Sequence, residues 1–186
     1  MLLALHPLLL EAAARTIVVG VLDGSARASI AGADAVWLDS PTAEQVASAV
    51  RDTRLPVGVT VDDVSALDGL LAAGATAVEC GSPGIVEVAR DRGLSLWCPA
   101  TQADRAIAIG LPAERIVSEL GSSGGATVVG TTVAGDGPGT WGAVVRAVHG
   151  GARVVRTTDV RSVRRVVTVM DRLAVARAAT GQRVAP

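Results

Sequence analysis

The sequence predicts an α/β protein of the (β/α)8 barrel class, also called the TIM barrel. Eight short apolar runs rich in β-branched residues recur along the 186 residues, and most of them are followed by a helical pattern. A Gly-Ala pair, such as Gly32-Ala33, precedes the second, fourth and eighth runs, where such barrels turn from helix to strand. Eight repeated units favour a closed barrel over a doubly wound sheet. The alternative is an open, flavodoxin-like sheet.

The eight apolar runs are the predicted strands, because their composition is typical of strands buried on both faces. In chain order they are residues 16–22, 35–38, 57–61, 76–80, 94–98, 115–120, 126–133 and 154–157. Barrels of this class usually have about 200 to 250 residues, so the connections are expected to be minimal. We expect a single domain over residues 1–186.

The predicted helices are bounded by capping residues and by Gly or Pro. They are residues 26–31, 43–50, 64–73, 83–91, 102–109, 140–148 and 160–176. Little more than Gly-Ser-Ser-Gly-Gly separates strands six and seven, so no helix is expected there. An N-terminal helix, residues 7–15, is expected to pack on the barrel or to plug it, and residues 177–186 form a tail.

Composition excludes several kinds of site. The chain has neither Lys nor Asn, which rules out a Schiff-base lysine, a P-loop lysine and an asparagine ligand. The 17 basic and 18 acidic side chains give no argument for binding nucleic acid or a membrane. Cys80 and Cys98 are too few for a disulfide framework or a zinc site, and we expect buried thiols. The first ten residues lack the features of a targeting signal, so a cytoplasmic location is expected.

The junction between the last strand and the last helix is the first place to expect a site. Arg156 lies near the end of that strand, where an anion would meet a guanidinium and free backbone N–H groups. Glu79 and Glu119 lie within or at the end of apolar runs, where an unpaired carboxylate is costly. Together with Arg156 they form either an ion pair or a ligand pocket. The loop 135–139 either cradles a phosphate or is a flexible connection.

Other notable residues have structural interpretations. Asp62, Asp63 and Asp159 each follow a strand and precede a helix, so each is either a helix N-cap or a ligand group. The three tryptophans, Trp37, Trp97 and Trp141, are expected to fill the core or an interface. His149 is expected to be a cation at the C-terminal end of its helix.

The order of segments resembles that of dihydropteroate synthase, the pterin-binding barrel of folate synthesis, from Val18 to about Leu173. The segments that carry the resemblance are Val-Val-Gly-Val-Leu-Asp (18–23), Gly-Ala-Asp-Ala-Val (32–36), Leu-Pro-Val-Gly-Val-Thr-Val-Asp (55–62), Leu-Ala-Ala-Gly-Ala (71–75), Glu-Arg-Ile-Val-Ser-Glu-Leu-Gly (114–121) and Arg-Thr-Thr-Asp-Val (156–160). The last segment is similar to the family's Arg-x-His-Asp-Val at the end of strand eight.

The resemblance implies a transferase that joins a pterin methyl pyrophosphate to p-aminobenzoate, with Mg²⁺ helping the pyrophosphate to leave. At the family's site positions this chain has six candidate ligand-binding residues: Asp23, Asp62, Glu79, Glu119, Arg156 and Thr158. Asp62 matches the strand-three aspartate, and Arg156 matches the strand-eight arginine. Asp23, Glu79 and Thr158 stand where the family has two asparagines and a histidine. Asp23 is also the candidate metal ligand, and the family's lysine has no counterpart.

Three functions follow from this comparison. The preferred one is a catalytically degenerate dihydropteroate synthase-like protein, a pseudoenzyme that keeps its barrel as a scaffold. The others are an active enzyme and a small-molecule binding module for a pterin or a phosphorylated compound. The family usually dimerises through its later helices, so a homodimer or another protein partner is also expected, whereas nucleic acid and membrane partners are not.

Overall fold

Eight parallel strands form a closed barrel in this protein. A computed structural model describes residues 7, 9, 11, 12, 14–22, 30–79, 82–119, 128–135 and 137–180. Each strand pairs with the next in chain order, and the first strand pairs with the eighth. The predicted (β/α)8 barrel is therefore confirmed, and the open flavodoxin-like alternative is wrong.

The strands lie close to their predicted positions. They are β1 Ile17–Leu22, β2 Ala35–Asp39, β3 Val57–Thr60, β4 Ala77–Glu79, β5 Ser95–Cys98, β6 Ile116–Glu119, β7 Val128–Val133 and β8 Val154–Thr157. Half of the sixteen strand boundaries lie one residue from the prediction, and one boundary lies two residues from it.

Helices follow most of the strands. They are α1 Ala43–Thr53, α2 Leu67–Ala72, α3 Pro83–Arg92, α4 Ala100–Ala108, α5 Pro138–His149 and α6 Val160–Ala179, and short 3-10 turns cover Val64–Ala66 and Ala113–Arg115. Of the predicted helix 26–31, residues 26–29 lie outside the described residues, and residues 30 and 31 are not helical. The connection between β6 and β7, where no helix was predicted, also lies outside the described residues.

Helix boundaries follow the capping chemistry that the sequence indicates. Thr42 accepts a hydrogen bond from the Gln45 backbone and its own N–H donates to the Gln45 side chain, which completes a capping box. Asp159 accepts from the Ser162 backbone at the start of α6. Asp63 accepts from Ser65, and these hydrogen bonds, from the hydroxyl and then from the backbone, lower the pKa of its carboxyl group. The N-cap interpretation of Asp63 and Asp159 is therefore confirmed.

The repeated Gly-Ala pairs have a direct structural role. Gly32, Gly74 and Gly151 adopt φ angles of 97°, 110° and 101°, which are strained for residues with a side chain. After two of these glycines, the next residue closes the preceding helix with a six-residue hydrogen bond, from Ala75 N to Leu70 O and from Ala152 N to Ala147 O. This turn delivers the chain from the helix directly into the next strand.

The core has an outer layer and an inner layer. Apolar residues between the strands and the helices form the outer layer, and residues inside the barrel form the inner one. From the N-terminal segment, Leu9 and Ala12 are 2% exposed and belong to the inner layer, where Trp37 and Trp97 also lie. These two residues therefore pack inside the barrel, and the structure of the segment as a whole stays a prediction. Among the described helices, none combines the length and the apolar character that crossing a bilayer requires.

A polar network at the amino-terminal end of the strands ties the beginning of the chain to its last helix. Asp34 accepts from the Val18 backbone and pairs with Arg15 and with Arg164 of α6. Asp171 of α6 accepts from both the backbone and the hydroxyl of Thr16. The first and last elements of the barrel are thus held together by charge-assisted hydrogen bonds.

The two inner tryptophans lie against glycines on other strands. A Cβ atom placed on Gly58 of β3 would lie 2.1 Å from Trp37 Cζ3, and one placed on Gly130 of β7 would lie 2.9 Å from Trp97 Cη2. The barrel interior accommodates two indoles because two strands present no side chain at these positions. Trp141, by contrast, is 40% exposed on α5, so the expectation of a core role does not hold for it.

We predict that Gly58→Ala destabilises the protein by about 1–3 kcal/mol or more, because the new methyl group overpacks the barrel against Trp37. Chemical denaturation followed by circular dichroism measures the effect. Gly69→Ala in α2 is the matched control: a Cβ atom there has no neighbour within 4 Å. That change should stabilise the protein by roughly 0.5–1 kcal/mol through helix propensity. Equal effects of the two substitutions would contradict this account of the packing.

Candidate functional site

Polar side chains from five strands meet at the carboxyl-terminal mouth of the barrel. Alternate residues of a strand point to the same side, and Trp37 and Trp97 fix which side is the interior. The same alternation turns Asp39, two residues after Trp37, towards the mouth. The other members of the group are Thr60, Glu79, Thr132 and Arg156. In parallel α/β barrels this end of the strands carries the functional groups.

Arg156 lies at the centre of this group. Its Nη1 is 2.6 Å from Glu79 Oε2, its Nη2 is 3.4 Å from Glu79 Oε1, and its Nε donates to Thr132 Oγ1 at 3.0 Å. The side chain of Arg156 is 11% exposed, and that of Glu79 is 23% exposed. The sequence predicted either an ion pair or a ligand pocket for these residues, and the structure shows an ion pair between Arg156 and Glu79.

The guanidinium also lies over both inner tryptophans. Its Cζ atom is 5.2 Å from the centroid of Trp37 and 4.8 Å from that of Trp97. The indoles contact each other edge to face, with centroids 5.9 Å apart. A cation at these distances is attracted to the ring faces, and the attraction grows where water is excluded. Arg156 is therefore held by four side chains, two of them aromatic.

Thr60 connects a second carboxylate to this ion pair. Its hydroxyl lies 2.9 Å from Asp39 Oδ1 and 2.8 Å from Glu79 Oε2, and it accepts a hydrogen bond from Trp37 Nε1 at 2.9 Å. A hydroxyl has one proton to donate, so it can satisfy only one of the two carboxylates at a time. Two carboxylates of the described residues thus contact one hydroxyl, and one of the two, Glu79, already neutralises Arg156.

Direct contacts join Glu79 and Arg156, which are two of the six predicted site residues. Asp62 and Glu119 are exposed beyond or at the ends of β3 and β6. Glu119 follows the inner-layer residue Val117 by two, so it shares the inward face of β6. Thr158 is exposed at the start of α6, and Asp23 lies outside the described residues.

Thr158 lines a separate open groove beside the last strand. The groove has a volume of about 730 Å³ and is lined by Gly135, Gly137, Thr158, Asp159 and Ser162. It includes part of the loop that was predicted either to bind phosphate or to be a flexible connection. The Asp159 carboxylate already accepts from the Ser162 N–H, one of the groups that an anion would use at this helix terminus.

The resemblance implies Mg²⁺, and the described residues on their own do not fit such a site. Among them, no three His, Cys, Asp or Glu side chains are grouped as metal ligands. In the mouth, Glu79 is engaged by Arg156, and Asp39 lies against Thr60. Mg²⁺ prefers several oxygen ligands in octahedral geometry. A metal site at Asp23 stays a prediction.

Sequence reasoning missed three members of the mouth: Asp39, Thr60 and Thr132. The available signal was the two-residue period of a strand. Asp39 follows Trp37 by two residues, and Thr132 follows Gly130 by two, so each shares the inward face of its strand. That signal could be used only with knowledge of which face was inside.

We predict that Arg156→Ala destabilises the protein by about 3 kcal/mol, because it leaves Glu79 without its counter-ion and opens a space above two indoles. Urea denaturation measures the change. Arg165→Ala, on the exposed face of α6, is the control and should stay within about 0.5 kcal/mol of the wild type. Wild-type stability of Arg156→Ala would show that the ion pair does not support the fold.

Several solved structures share this fold. A Burkholderia cenocepacia dihydropteroate synthase complexed with 7,8-dihydropteroate is 18% identical over 91% of this chain and 94% of that chain, with a TM-score of 0.69. A Yersinia pestis dihydropteroate synthase with a pterin–sulfa conjugate is 14% identical over 87% and 95%, with a TM-score of 0.72. A Mycobacterium tuberculosis structure is 18% identical over 92% and 94%, with a TM-score of 0.71.

Comparisons of the sequence itself with protein-family models and with curated proteins give no match. At identities of 14–18%, the structural likeness is one of fold. It agrees with the resemblance found in the order of the sequence segments. The chain has the barrel fold of the dihydropteroate synthases.

Proposed function

We propose that this protein is a catalytically degenerate dihydropteroate synthase-like barrel, which serves as a scaffold and does not catalyse pterin transfer. The observation that carries this proposal is the ion pair between Arg156 and Glu79. The residue that resembles the family's diphosphate-binding arginine is neutralised by a carboxylate of the same chain.

The charge of the departing group supports the proposal. A diphosphate leaving group needs cationic groups that are free to stabilise its charge. To reach Arg156, it would have to displace Glu79 from charge-assisted hydrogen bonds, each worth about 1.5–3 kcal/mol. It would also approach the carboxylate of Asp39, across the Thr60 hydroxyl. The chain has no Lys that could compensate for these losses.

A scaffold needs a surface for a partner, and the last two helices offer one. Trp141 and Val145 of α5 are 40% and 39% exposed, and Val169 and Leu173 of α6 are 57% and 47% exposed. Exposed apolar side chains on neighbouring elements are typical of protein interfaces. A homodimer through these helices, or a complex with another protein, is part of the proposal. We place the protein in the cytoplasm.

The test of degeneracy is an assay of the purified protein with a pterin methyl pyrophosphate, p-aminobenzoate and Mg²⁺. We expect no dihydropteroate and no pyrophosphate release, whereas ordinary enzymes turn over roughly 1 to 1,000 times per second. An active dihydropteroate synthase assayed in parallel verifies the reagents. Turnover within the ordinary range would overturn the proposal.

A binding module for a phosphorylated compound is the second candidate function, and the groove at Thr158 is the observation that favours it. For this candidate, a sugar phosphate at 100 times its dissociation constant should stabilise the protein by about 2.7 kcal/mol. Thermal unfolding with and without the compound measures this shift. Thr158→Glu, which places a carboxylate in the groove, should abolish it. An equal shift in the variant would show that the compound binds elsewhere.

A further inference from the structure

We propose that Glu79 is an internal ligand that closes a small oxyanion-binding site formed by Arg156, Thr132 and Thr60. The contact is autoinhibitory: the carboxylate of the chain occupies the position that a free oxyanion would take. This inference deepens the proposed function, on which it rests, by naming the residue that keeps the mouth of the barrel closed to anions.

Glu79 is bound as an external oxyanion would be. Both of its carboxylate oxygens face the guanidinium of Arg156, at 2.6 Å and 3.4 Å, in the two-pronged arrangement by which arginine recognises carboxylate and phosphate. A third contact joins Oε2 to the Thr60 hydroxyl at 2.8 Å. The carboxylate therefore uses one cation and a hydroxyl that it shares with Asp39, and both are groups that bind oxyanions.

The rest of the site is held without help from Glu79. Thr132 Oγ1 accepts from Arg156 Nε at 3.0 Å, and the two indoles lie 5.2 Å and 4.8 Å from the guanidinium carbon. Thr60 is fixed by the Trp37 indole N–H. Removal of the Glu79 side chain thus leaves the arginine oriented and takes away the carboxylate that pairs with it.

The site is also open to solvent at the position of Glu79. The Glu79 side chain is 23% exposed, whereas that of Arg156 is 11% exposed beneath it. Glu79 is the last residue of β4 and therefore lies at the rim of the barrel. An ion that replaced its carboxylate could enter from the mouth without any strand having to separate.

The neighbouring carboxylate of Asp39 determines which class of anion could bind at Arg156. Asp39 Oδ1 lies 2.9 Å from the same Thr60 hydroxyl that contacts Glu79. A group with one compact charge can face Arg156 and stay clear of Asp39, whereas an extended, more highly charged anion is repelled. The geometry favours inorganic phosphate or a small carboxylate over diphosphate.

Phosphate binding to Glu79→Ala tests the inference, with calorimetry and tryptophan fluorescence as readouts because Arg156 lies over Trp37 and Trp97. We expect Glu79→Ala to bind phosphate with a dissociation constant of about 1 mM or lower, at least roughly tenfold tighter than the wild type. Diphosphate should bind more weakly than phosphate. Circular dichroism verifies the fold.

Two further variants separate a specific site from a general change in charge. Asp62→Asn removes one negative charge at the same end of the barrel. Asp62 is exposed and is not among the contacts of Arg156 described above, so this variant should give no gain in phosphate binding. The double variant Glu79→Ala/Arg156→Met should lose the gain. If Glu79→Ala fails to fold, Glu79→Gln, which keeps the shape of the side chain, takes its place and should also bind phosphate more tightly than the wild type.

The outcomes are distinct from those of the synthase assay. A folded Glu79 variant with no gain in phosphate binding overturns this inference but leaves the proposed degeneracy standing. Equal gains in the Glu79 variant and in Asp62→Asn also overturn it, since the site would then not be specific. Dihydropteroate formation by the wild type refutes the proposed function whatever the phosphate experiment gives.

Discussion

The ion pair of Arg156 and Glu79, buried above two tryptophans, is the interaction on which the interior of this barrel depends. A guanidinium inside a protein is tolerated only if its charge and its N–H groups are matched. Here the charge and the N–H groups of Arg156 are matched by a carboxylate from β4, a hydroxyl from β7 and indoles from β2 and β5. Four strands are therefore tied to one side chain of β8, and the mouth of the barrel is fixed by that arrangement.

Small residues make this arrangement sterically feasible. Trp37 and Trp97 fit across the barrel because Gly58 and Gly130 leave room for them. The N-terminal segment covers the opposite end of the interior with Leu9 and Ala12. As far as the described residues define it, the inside of the barrel is thus a packed column, apolar at one end and charged at the carboxyl-terminal mouth.

The same fold can carry different chemistry, because function is set by the few groups at the mouth of the barrel. The solved dihydropteroate synthases share the architecture at low sequence identity. In this chain, a carboxylate occupies the arginine, and a second carboxylate stands beside it across a shared hydroxyl. Both features repel a highly charged anion. This repulsion is the physical basis of the proposed function and of the proposed oxyanion-binding site that Glu79 closes.

The sequence by itself determined the fold class, the order of the strands and most of the caps, because these depend on local hydrophobic runs, on Gly-Ala turns and on residues such as Thr42 and Asp159. It also singled out Arg156 and Glu79, since charges in apolar runs need a partner. Only the tertiary structure decided that these two pair with each other, and that Asp39, Thr60 and Thr132 join them. Those contacts link residues up to 77 positions apart, and they depend on barrel closure and strand register, which no local pattern encodes.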